Sequence, residues 1–551
     1  MVPGVPLRTR RAYSWQSDMA SDPSSPDTPL ELRVRPARFW HGRKLVELGG
    51  LPPAFTVLEW LREVAGCHAV KEGCAEGDCG ACTVAVTDLD EAGNPRVRAI
   101  NACIQPVAAL DGKLLATAGE IGEPDALHPV QAAMVTHHGS QCGFCTPGIV
   151  MSLYAMYEGR RLADEAVVGR GDAVRALSGN LCRCTGYRPI LDAAQAMCGP
   201  DWQGESAEGL RERLAQVAPR PQAWTPGQAA DGFDGHARGR FLAPRTLAQL
   251  AALRAAHPDS RIVAGATDVG LWVTKQHRAL GEMLWIGGVS ELAAIGRIGR
   301  DALASSRWGR DVPCLEIGAA VTVEDAWRAL APHFPACTDY FDRFASVPVR
   351  NSATLVGNVA NGSPIGDTAP LLIALGGSVV LHRQGQERVL PVTDFYHGYQ
   401  KNDLRPGEFI RAVRVPLPGA QVAVRAWKLS KRVEQDISAV AVATALCVEQ
   451  GRIVAAGVGV GGMAAVSSRA ARTEQALLGL QVDVPAASLR DSPGMRAAWH
   501  AMHDEFDPLD DLRASAAYRR QAAANLLLRS CLELARQAPA TRLGELAAIQ
   551  T

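Results

Sequence analysis

Four cysteines in the first fifth of the chain have a spacing that suits an iron–sulfur cluster. Cys74, Cys79 and Cys82 stand as C-x4-C-x2-C in KEGCAEGDCGACTVAV, and Cys103 follows in INACIQP. This is the ligand spacing of plant-type 2Fe-2S clusters. The glycines between the cysteines let backbone N–H groups approach the sulfur atoms, where a side chain would obstruct them. Structural zinc and inert buried thiols are the alternatives, and the spacing disfavours zinc because its structural sites usually pair two C-x2-C motifs.

A second set of four cysteines follows at the ends of predicted helices. Cys142 and Cys145 stand in QCGFCTPG, and Cys182 and Cys184 stand in GNLCRCTGYRP. Four thiolates at helix ends can converge between packed helices, as in other metal sites inside helical bundles. Spacing alone leaves zinc open for this set. The neighbouring first set favours a second redox centre, because an electron-carrying cluster needs a redox partner.

The distribution of cysteines indicates a reducing compartment. Ten of the fourteen cysteines lie between Cys67 and Cys198, inclusive, whereas a disulfide scaffold would spread them more evenly. The N-terminus contains no apolar run of the length that an export signal needs. We therefore expect a cytoplasmic protein in which clustered thiols bind metal or do redox chemistry. Cys67 and Cys198 have no comparable partners in the sequence and are predicted to be buried small hydrophobes.

Composition argues against nucleic-acid and membrane partners. Lys plus Arg and Asp plus Glu each total 57, so the formal net charge is zero and no basic footprint is expected. Hydrophobic residues make up 47% of the chain, yet no apolar run approaches the roughly 20 residues that a membrane-spanning helix needs. The length of 551 residues, at about 150 residues per domain, predicts three or four folded domains.

Strand and helix patterns predict an α+β multidomain protein around these motifs. ACTVAVTDLD and NPRVRAINAC alternate as a hairpin around the first cysteine set, whereas the second set lies among helical stretches. Six successive units are predicted: a disordered tail (1–30), a small mixed α/β unit (31–115), a helical unit (116–200), a Gly/Pro/Ala-rich linker (201–237), an α/β domain (238–416) and a C-terminal α+β domain (417–551).

Two glycine-containing segments could hold a nucleotide. In RIVAGATDVG a predicted strand ends in a loop from Ala264 to Gly270, whose backbone N–H groups could bind a pyrophosphate. An ordinary turn is the alternative for this loop. The second segment, SATLVGNVANGSPIGDTAP, would let a nucleotide approach closely because its residues have little bulk. Its candidate residues are Gly357, Asn358, Asn361, Ser363 and Asp367.

A third glycine run is a weaker candidate. Gly457, Gly459 and Gly462 in GVGVGG satisfy G-x-G-x-x-G after a predicted strand, with Glu474 further on. A single match to this pattern carries little weight, and the run begins inside an alternating Val/Ala strand. We therefore expect the end of a tightly packed strand rather than a dinucleotide site.

The cysteine motifs resemble those of a known family. GCAEGDCGACTV, QCGFCTPGIVMSLYA and GNLCRCTGYRPI are similar to the iron–sulfur part of the xanthine dehydrogenase and aldehyde oxidase family of molybdenum hydroxylases. The resemblance implies a β-grasp ferredoxin-like domain over 31–115 and a four-helix domain over 116–200, each with one 2Fe-2S cluster. It also implies that Gln141 faces the pterin of a molybdenum cofactor on another chain, since no segment here resembles the family's molybdopterin-binding half.

The resemblance extends to a flavin domain. DRFASVPVRNSATLVGN and the two nucleotide segments resemble the FAD-binding domain of the same family, over roughly 240–415. This implies that Phe344 stacks near the isoalloxazine and that Asp367 binds the ribityl or pyrophosphate region of FAD. The residues that the resemblance places in the FAD region are Ala264, Gly265, Ala266, Thr267, Asp268, Val269, Gly270, Phe344, Gly357, Asn358, Asn361, Ser363, Asp367 and Lys428.

A charged segment resembles the family's loop beside the flavin, where a nicotinamide cofactor docks. In LSKRVEQDISAV the candidate contacts are Arg432, Glu434 and Asp436. Val433 and Gln435 depart from the more strongly charged run of several family members. A solvated charged surface is the alternative for this loop.

The resemblance implies an electron-transfer subunit with two 2Fe-2S clusters and FAD that reduces NAD⁺. Its partner would be a molybdopterin-binding large subunit, in an α2β2 heterotetramer that oxidises hypoxanthine and xanthine to urate. No catalytic residue is then expected on this chain. The alternatives are the equivalent subunit for an aldehyde or another N-heterocycle, a stand-alone flavin reductase and a zinc-stabilised binding protein.

Overall fold

The computed structural model describes residues 32–165, 168–197, 202, 204–225, 239–299, 307–308 and 312–538. The predicted tail, Cys198 and residues 226–237 of the predicted linker lie outside the described residues. Within the described part of the chain, every helix is too short or too polar to cross a membrane.

A five-stranded mixed sheet forms the first domain, in the order β2-β1-β5-β3-β4. Its strands are β1 (Ala37–His41), β2 (Lys44–Leu48), β3 (Thr83–Leu89), β4 (Pro95–Asn101) and β5 (Leu114–Ala116). Strands β1 and β5 are parallel, and the other pairs are antiparallel, including the predicted hairpin of β3 and β4. Helix α1 (Val57–Glu59) continues as a π-turn over Trp60–Val64. Thr56 caps α1, because its hydroxyl accepts a hydrogen bond from the Glu59 N–H at 3.1 Å, and its own N–H donates to the Glu59 carboxylate at 2.7 Å.

Four helices form the second domain: α2 (Pro129–Thr136), α3 (Thr146–Leu162), α4 (Arg170–Ala176) and α5 (Arg188–Ala196). Apolar residues of α3 and α5, such as Leu153 and Ile190, are buried in one core with Ala85 and Ala99 of the first domain. The helical domain therefore packs directly on the β3–β4 hairpin.

The predicted linker contains regular structure within residues 204–225. This segment contains helix α6 (Ala207–Gln216) and strand β6 (Gln222–Trp224). Leu210 and Leu214 lie on one face of α6 and are buried with Leu114. The i,i+4 spacing of these leucines outweighs the overall Gly/Pro/Ala content, because burial of an apolar face stabilises the helix.

The third domain begins with a four-stranded sheet in the order β6-β7-β9-β8. Its other strands are β7 (Phe241–Ala243), β8 (Arg261–Val263) and β9 (Met283–Trp285). Helix α7 (Leu247–Ala256) connects β7 to β8, and α8 (Thr267–Thr274) connects β8 to β9. Because β7, β8 and β9 are parallel, both connections are helical crossovers.

An antiparallel sheet follows in the same domain, in the order β10-β11-β16-β12-β13. The elements are β10 (Ile295–Ile298), β11 (Cys314–Gly318), α9 (Val323–Leu330), α10 (Thr338–Asp342), α11 (Val347–Arg350), α12 (Leu355–Asn361), α13 (Thr368–Leu375), β12 (Ser378–Arg383), β13 (Gln386–Pro391), α14 (Val392–Phe395), β14 (Tyr396–Gly398), β15 (Lys401–Asn402) and β16 (Phe409–Pro416). Every residue of α13 is buried, which places this helix at the centre of the molecule's largest core.

The C-terminal domain is a four-stranded antiparallel sheet covered by helices. Its elements are β17 (Val422–Leu429), β18 (Val440–Glu449), β19 (Arg452–Gly461), β20 (Ser468–Arg469), α15 (Ala471–Leu477), α16 (Ala486–Arg490), α17 (Pro493–Asp504) and α18 (Ala516–Leu532). Alternate residues of β18 face opposite sides: Ala441 and Ala443 pack in the core that contains α13, and Val440 and Val442 pack in the core that contains α18. The α+β multidomain fold class is therefore confirmed.

Candidate cofactor sites

The first set of cysteines surrounds one point in the sheet domain. The loop before β3 carries Cys74, Cys79 and Cys82, and Cys103 follows β4. The Cys74 thiol is within hydrogen-bonding distance of the thiols of Cys79 and Cys103, and Cys82 is within reach of Cys103. Three backbone N–H groups of the loop donate to Cys74 Sγ, at 3.4, 3.3 and 3.3 Å. Glycine allows this close turn, since a Cβ on Gly73 would lie 2.7 Å from Cys79 Sγ.

Contacts between the four thiols shift their pKa values in opposite directions. Contact with Cys103 and then Cys79 lowers the pKa of Cys74, and contact with Cys103 lowers the pKa of Cys82. The pKa of Cys79 is raised by Cys74, and the pKa of Cys103 is raised by Cys74 and Cys82. Four sulfur atoms in contact with one another, with N–H donors beside them, fit a cluster bound by thiolates.

The second set lies at the facing ends of two helices. Cys145 is the N-cap of α3, with Cys142 three residues before it, and Cys182 and Cys184 precede α5. Thiol contacts join Cys142 to Cys184 and Cys145 to Cys182. Burial and the contact with Cys182 raise the pKa of the Cys145 thiol to about 12. The hydroxyl of Thr185 lies 3.1 Å from Cys182 Sγ. This set also fits a thiolate-bound group, and the assignment of all eight cysteines as iron ligands stays a prediction.

The two cysteine loops contact each other directly. The backbone N–H of Leu181 donates to the carbonyl of Cys79 at 3.0 Å. The side-chain amide of Asn180 donates to the carbonyl of Gly80 at 3.2 Å. A Cβ on Gly80 would lie 2.1 Å from the carbonyl oxygen of Gly179, so a side chain there would separate the loops. Asn180 is not among the residues predicted from the motifs, although its place just before the C-x-C motif was a usable signal.

The outer side of the second set lies at the surface. Gln141 and Cys142 are exposed, and the Phe144 side chain beside them is 49% exposed. A partner chain could therefore reach this set through Gln141. The predicted contact of Gln141 with a partner's pterin stays a prediction.

The first nucleotide segment is a shorter loop than predicted. Helix α8 begins at Thr267, so the prediction of a loop through Gly270 is wrong for Thr267 to Gly270, the first turn of the helix. Ala266 turns the chain into the helix with a left-handed φ of 59°, and the N–H of Gly270 donates to its carbonyl at 2.6 Å. The first N–H groups of a helix have no partner within it, so Ala264 to Val269 still fit a pyrophosphate.

The second nucleotide segment is largely helical and is not the open loop that the glycines suggested. Thr354 caps α12 by accepting a hydrogen bond from the N–H of Gly357 at 3.0 Å, and Asn361 ends the helix. The side chain of Asn358 accepts a hydrogen bond from the hydroxyl of Thr368, the first residue of α13. Ser363 lies in the turn between α12 and α13. A good cap and the apolar residues of LVGNVAN outweigh one internal glycine.

The two nucleotide segments meet at Gly265. A Cβ on this glycine would lie 1.8 Å from the carbonyl oxygen of Ser352, so only glycine permits the contact. Gln105 of the sheet domain donates to the Gly265 carbonyl at 2.6 Å. The half-exposed residues Gly265, Gly357 and Ser363 present backbone with little side-chain bulk. This surface fits a nucleotide, and the individual FAD contacts stay predictions.

Three residues predicted at the flavin are buried, and two of them, Asp367 and Lys428, pair across the third and C-terminal domains. Asp367 and Lys428 form an ion pair of 2.6 Å, with relative exposures of 7% and 4%. The hydroxyl of Ser438 donates to the other carboxylate oxygen of Asp367. Phe344 is 7% exposed and packs edge-on against Trp327, with 6.1 Å between the ring centroids. These side chains already have protein partners, so their direct contacts with FAD stay predictions.

The predicted nicotinamide loop faces the first cysteine loop. Arg432 and Glu434 are exposed, and Asp436 is half-buried. The backbone N–H of Arg432 donates to Asp436 at 2.8 Å, and its guanidinium lies 3.9 Å from the carboxylate of Asp78. Burial raises the pKa of Asp436, but hydrogen bonds from backbone N–H groups and the charge of Arg432 outweigh it and lower the value. The loop links the C-terminal and sheet domains, and its nicotinamide role stays a prediction.

The glycine run in β19 is the end of a packed strand, as predicted. A Cβ on Gly457 would lie 2.0 Å from the carbonyl oxygen of Ala374, and one on Gly459 would lie 2.0 Å from that of Pro370. These glycines therefore let α13 lie directly on β19. Glu474 is buried and accepts hydrogen bonds from the Val458 backbone and the Arg469 side chain of its own domain, and from Arg307 of the third domain. It serves packing rather than a ribose.

Three family models match successive parts of the chain. Residues 117–195 match a 2Fe-2S binding domain, residues 237–418 match the FAD binding domain in molybdopterin dehydrogenase, and residues 425–534 match the CO dehydrogenase flavoprotein C-terminal domain. The chain belongs to the molybdenum hydroxylase family, as an iron–sulfur and FAD-binding member. It is a flavoprotein with the domains of an oxidoreductase of that family.

Curated relatives within the family are longer than this chain. It is 31% identical to xanthine dehydrogenase of Emericella nidulans over 530 residues, which is 88% of this chain and 38% of the relative. It is 30% identical to xanthine dehydrogenase/oxidase of Rattus norvegicus over 439 residues, 73% of this chain and 32% of the relative. The chain thus spans less than two-fifths of each relative's length.

Solved structures that match this chain cover about half of it. A CO dehydrogenase from Oligotropha carboxidovorans is 24% identical and covers 54% of this chain and 98% of its own, with a TM-score of 0.47. Quinoline 2-oxidoreductase from Pseudomonas putida is 23% identical and covers 55% of this chain and 98% of its own, with a TM-score of 0.47.

The burial of one cysteine outside the two sets, Cys67, differs from the prediction made from the sequence. Cys67 packs against the apolar core of the sheet domain, but it is only half-buried and its thiol lies 3.5 Å from the Thr117 hydroxyl, so it is less buried than predicted. Burial raises the pKa of Cys67, but contacts with His41 and Thr117 outweigh it and lower the value. Burial lowers the pKa of His41, but contacts with Cys67 and Glu120 raise it to about 9. The motifs of the sequence do not predict this group, because its members are far apart in the chain.

Proposed function

We propose that this chain is the electron-transfer subunit of a xanthine dehydrogenase and passes electrons from a molybdenum centre on a partner chain to NAD⁺. The observation that carries the proposal is the direct hydrogen bonding of two cysteine loops, Leu181 to Cys79, in a chain that also has an FAD-binding domain. The names of the longer relatives support xanthine as the substrate.

The proposed cofactors are two 2Fe-2S clusters and one FAD per chain. When bound, they supply one-electron carriers and a group that exchanges electron pairs with a nicotinamide. The cysteines of the two sets would hold the clusters, and the backbone around Gly265 and Gly357 would hold the nucleotide part of FAD. The hydrogen bond of Asn180 to Gly80 keeps the two cysteine loops at a fixed separation.

The proposed partner is a molybdopterin-binding large subunit, in an α2β2 assembly by family resemblance. It would dock on the surface around Gln141 and Phe144, since this is where the second cysteine set reaches the surface. Docking there would bury the Phe144 ring and bring the partner's pterin to Gln141. The proposed compartment is the cytoplasm, where thiols stay reduced.

The proposed site for NAD⁺ is the exposed loop with Arg432, Glu434 and Asp436. Arg432 offers a cation for a phosphate, and the hydrogen bond from its backbone to Asp436 holds the loop's shape. Arg432 of this loop also lies 3.9 Å from Asp78 in the first cysteine loop, so a nicotinamide bound here would lie near the first cysteine set.

The proposal is tested with the purified chain, checked for iron and flavin content. We expect it to oxidise NADH with an artificial dye and to leave xanthine unchanged. Addition of a molybdenum-containing large subunit should restore xanthine oxidation. Xanthine turnover by the chain alone would overturn the division of labour. Restored oxidation of an aldehyde or another N-heterocycle, but not of xanthine, would instead assign the chain to a different hydroxylase.

A further inference from the structure

Three side chains outside the cofactor sites form a compact cluster in the sheet domain. His41 ends β1, Cys67 follows the π-turn, and Glu120 lies after β5. One nitrogen, the sulfur and one carboxylate oxygen of these residues lie within 4.8 Å of one another. This cluster belongs to neither cysteine set.

Glu120 is held so that one oxygen faces the cluster. Its Oε2 accepts hydrogen bonds from the backbone N–H of Thr117 at 2.8 Å and from the Thr117 hydroxyl at 2.6 Å. Its Oε1 lies 3.1 Å from His41 Nε2. Outer hydrogen bonds that fix a carboxylate in this way are typical of metal ligands.

His41 is also held in place, but its Nε2 lacks a directed partner. The ring packs edge-on against Trp60, with 5.3 Å between centroids. Nε2 is buried, and among the described residues no acceptor meets the direction that a hydrogen bond from it requires. The Glu120 carboxylate is close enough to Nε2 for a hydrogen bond, but it lies outside the direction of the N–H bond. A buried ring nitrogen beside a thiol and a carboxylate, without a directed hydrogen bond, can bind a metal ion once the ion displaces the protons held on the ring and the thiol.

We propose that His41, Cys67 and Glu120 bind one divalent transition-metal ion, with Zn²⁺ as the best match, and that water is its fourth ligand. Thiolate and imidazole favour zinc over calcium or magnesium. Zinc bonds of about 2.0–2.3 Å place tetrahedral ligands roughly 3.3–3.8 Å apart, so small side-chain shifts complete the site. The ion would join three segments that are separate in the chain: the end of β1, the segment of Cys67 just before the first cysteine loop, and the segment of Glu120 after β5.

The test uses the chain with its clusters and FAD intact. After treatment with a chelator that leaves the iron content unchanged, one equivalent of ZnCl₂ is added and unbound metal is removed by gel filtration. We expect about one zinc to remain per wild-type chain. Cys67→Ser and His41→Gln should each lower retained zinc at least tenfold at the same iron content. His68→Gln, which removes an exposed neighbouring imidazole, should retain zinc like the wild type.

Alkylation provides a second measurement on the wild-type protein, which stays informative if a variant fails to fold. One equivalent of Zn²⁺ should slow the reaction of Cys67 with iodoacetamide at least tenfold, as followed by peptide mass spectrometry. Equal zinc retention by Cys67→Ser and wild type would overturn the proposal. Rapid alkylation with no zinc retained would also overturn it and leave Cys67 as a reactive thiol.

Discussion

At the residue scale, the eight motif cysteines act as two separate groups. Contacts between thiols stay within each group, Cys74 with Cys103 in one and Cys145 with Cys182 in the other. The groups are joined through the backbone and Asn180 rather than through shared sulfur. Removal of a ligand from one group should therefore spare the other.

We expect Cys145→Ser to remove the cluster of the helical domain and leave the other, because a serine oxygen is a poorer iron ligand than a thiolate. Iron content should fall from about four to about two per chain, and one of two EPR signals should disappear. Cys74→Ser is the matched control and should remove the other signal. Loss of both signals from a folded Cys145→Ser protein would contradict the ligand partition.

The buried ion pair of Lys428 and Asp367 gives a second prediction at the residue scale, about stability. Both groups are buried, and Ser438 supplies a further hydrogen bond to the carboxylate. Removal of one member leaves a buried charge without its counter-charge, which costs about 3–5 kcal/mol. Replacement of both members avoids that cost.

Lys428→Met should therefore lower the unfolding temperature and FAD retention more than the double variant Lys428→Met/Asp367→Asn does. Thermal unfolding followed by circular dichroism, with flavin content measured on the same samples, checks this order. Equal or greater loss in the double variant would show that the pair does not act as a charge pair.

At the scale of elements, the contact of α13 with β19 depends on strand glycines. The Cβ of an alanine at Gly459 would lie 2.0 Å from the carbonyl oxygen of Pro370 and 2.9 Å from its carbonyl carbon. These are backbone atoms, so the helix itself would have to move. Overpacking of this kind costs about 1–3 kcal/mol or more.

Gly459→Ala should reduce the yield of folded protein and its unfolding temperature, with FAD lost only from misfolded chains. Gly296→Ala is the matched control, because a Cβ there, also in a strand, meets nothing within 4 Å. FAD content per folded chain is then measured for both variants. Selective loss of FAD from a fully folded Gly459→Ala variant would show that this glycine run contributes to FAD binding, against the prediction.

At the scale of the whole molecule, two kinds of contact join the sheet domain to the flavin domain. Asn351 is buried and its side-chain amide donates to the carbonyl of Ala99 at 2.9 Å. Arg96 forms an ion pair of 2.7 Å with Asp325, but 30% of the Arg96 side chain is exposed. A buried carbonyl that loses its donor costs about 1–3 kcal/mol, whereas a partly exposed ion pair contributes about 0–1 kcal/mol.

We therefore expect Asn351→Ala to weaken the domain contact more than Arg96→Ala, although only Arg96 carries a charge. In differential scanning calorimetry, Asn351→Ala should separate the unfolding of the two domains, and Arg96→Ala should leave the wild-type profile nearly unchanged. The reverse order would mean that the ion pair dominates the interface.

Local patterns in the sequence determined the family, the two cysteine sets and many elements. The Cys74–Cys82 spacing and the β3–β4 alternation depend on residues close in the chain, so their physical reasons are readable without coordinates. The strand assignment of Gly459 was also correct, since its alternating neighbours outweighed the glycine motif.

Contacts between distant segments were decided only by the tertiary structure. The sequence does not bring Asn180 to Gly80, Ser438 to Asp367, or His41 to Cys67 and Glu120, because such pairs depend on packing across domains or across the sheet. Tertiary burial also turned the glycine-rich segment around Gly357 into helix α12 and the Leu210 region of the predicted linker into helix α6. In both segments, composition suggested loops, and the free energy of burying an apolar face favoured helices.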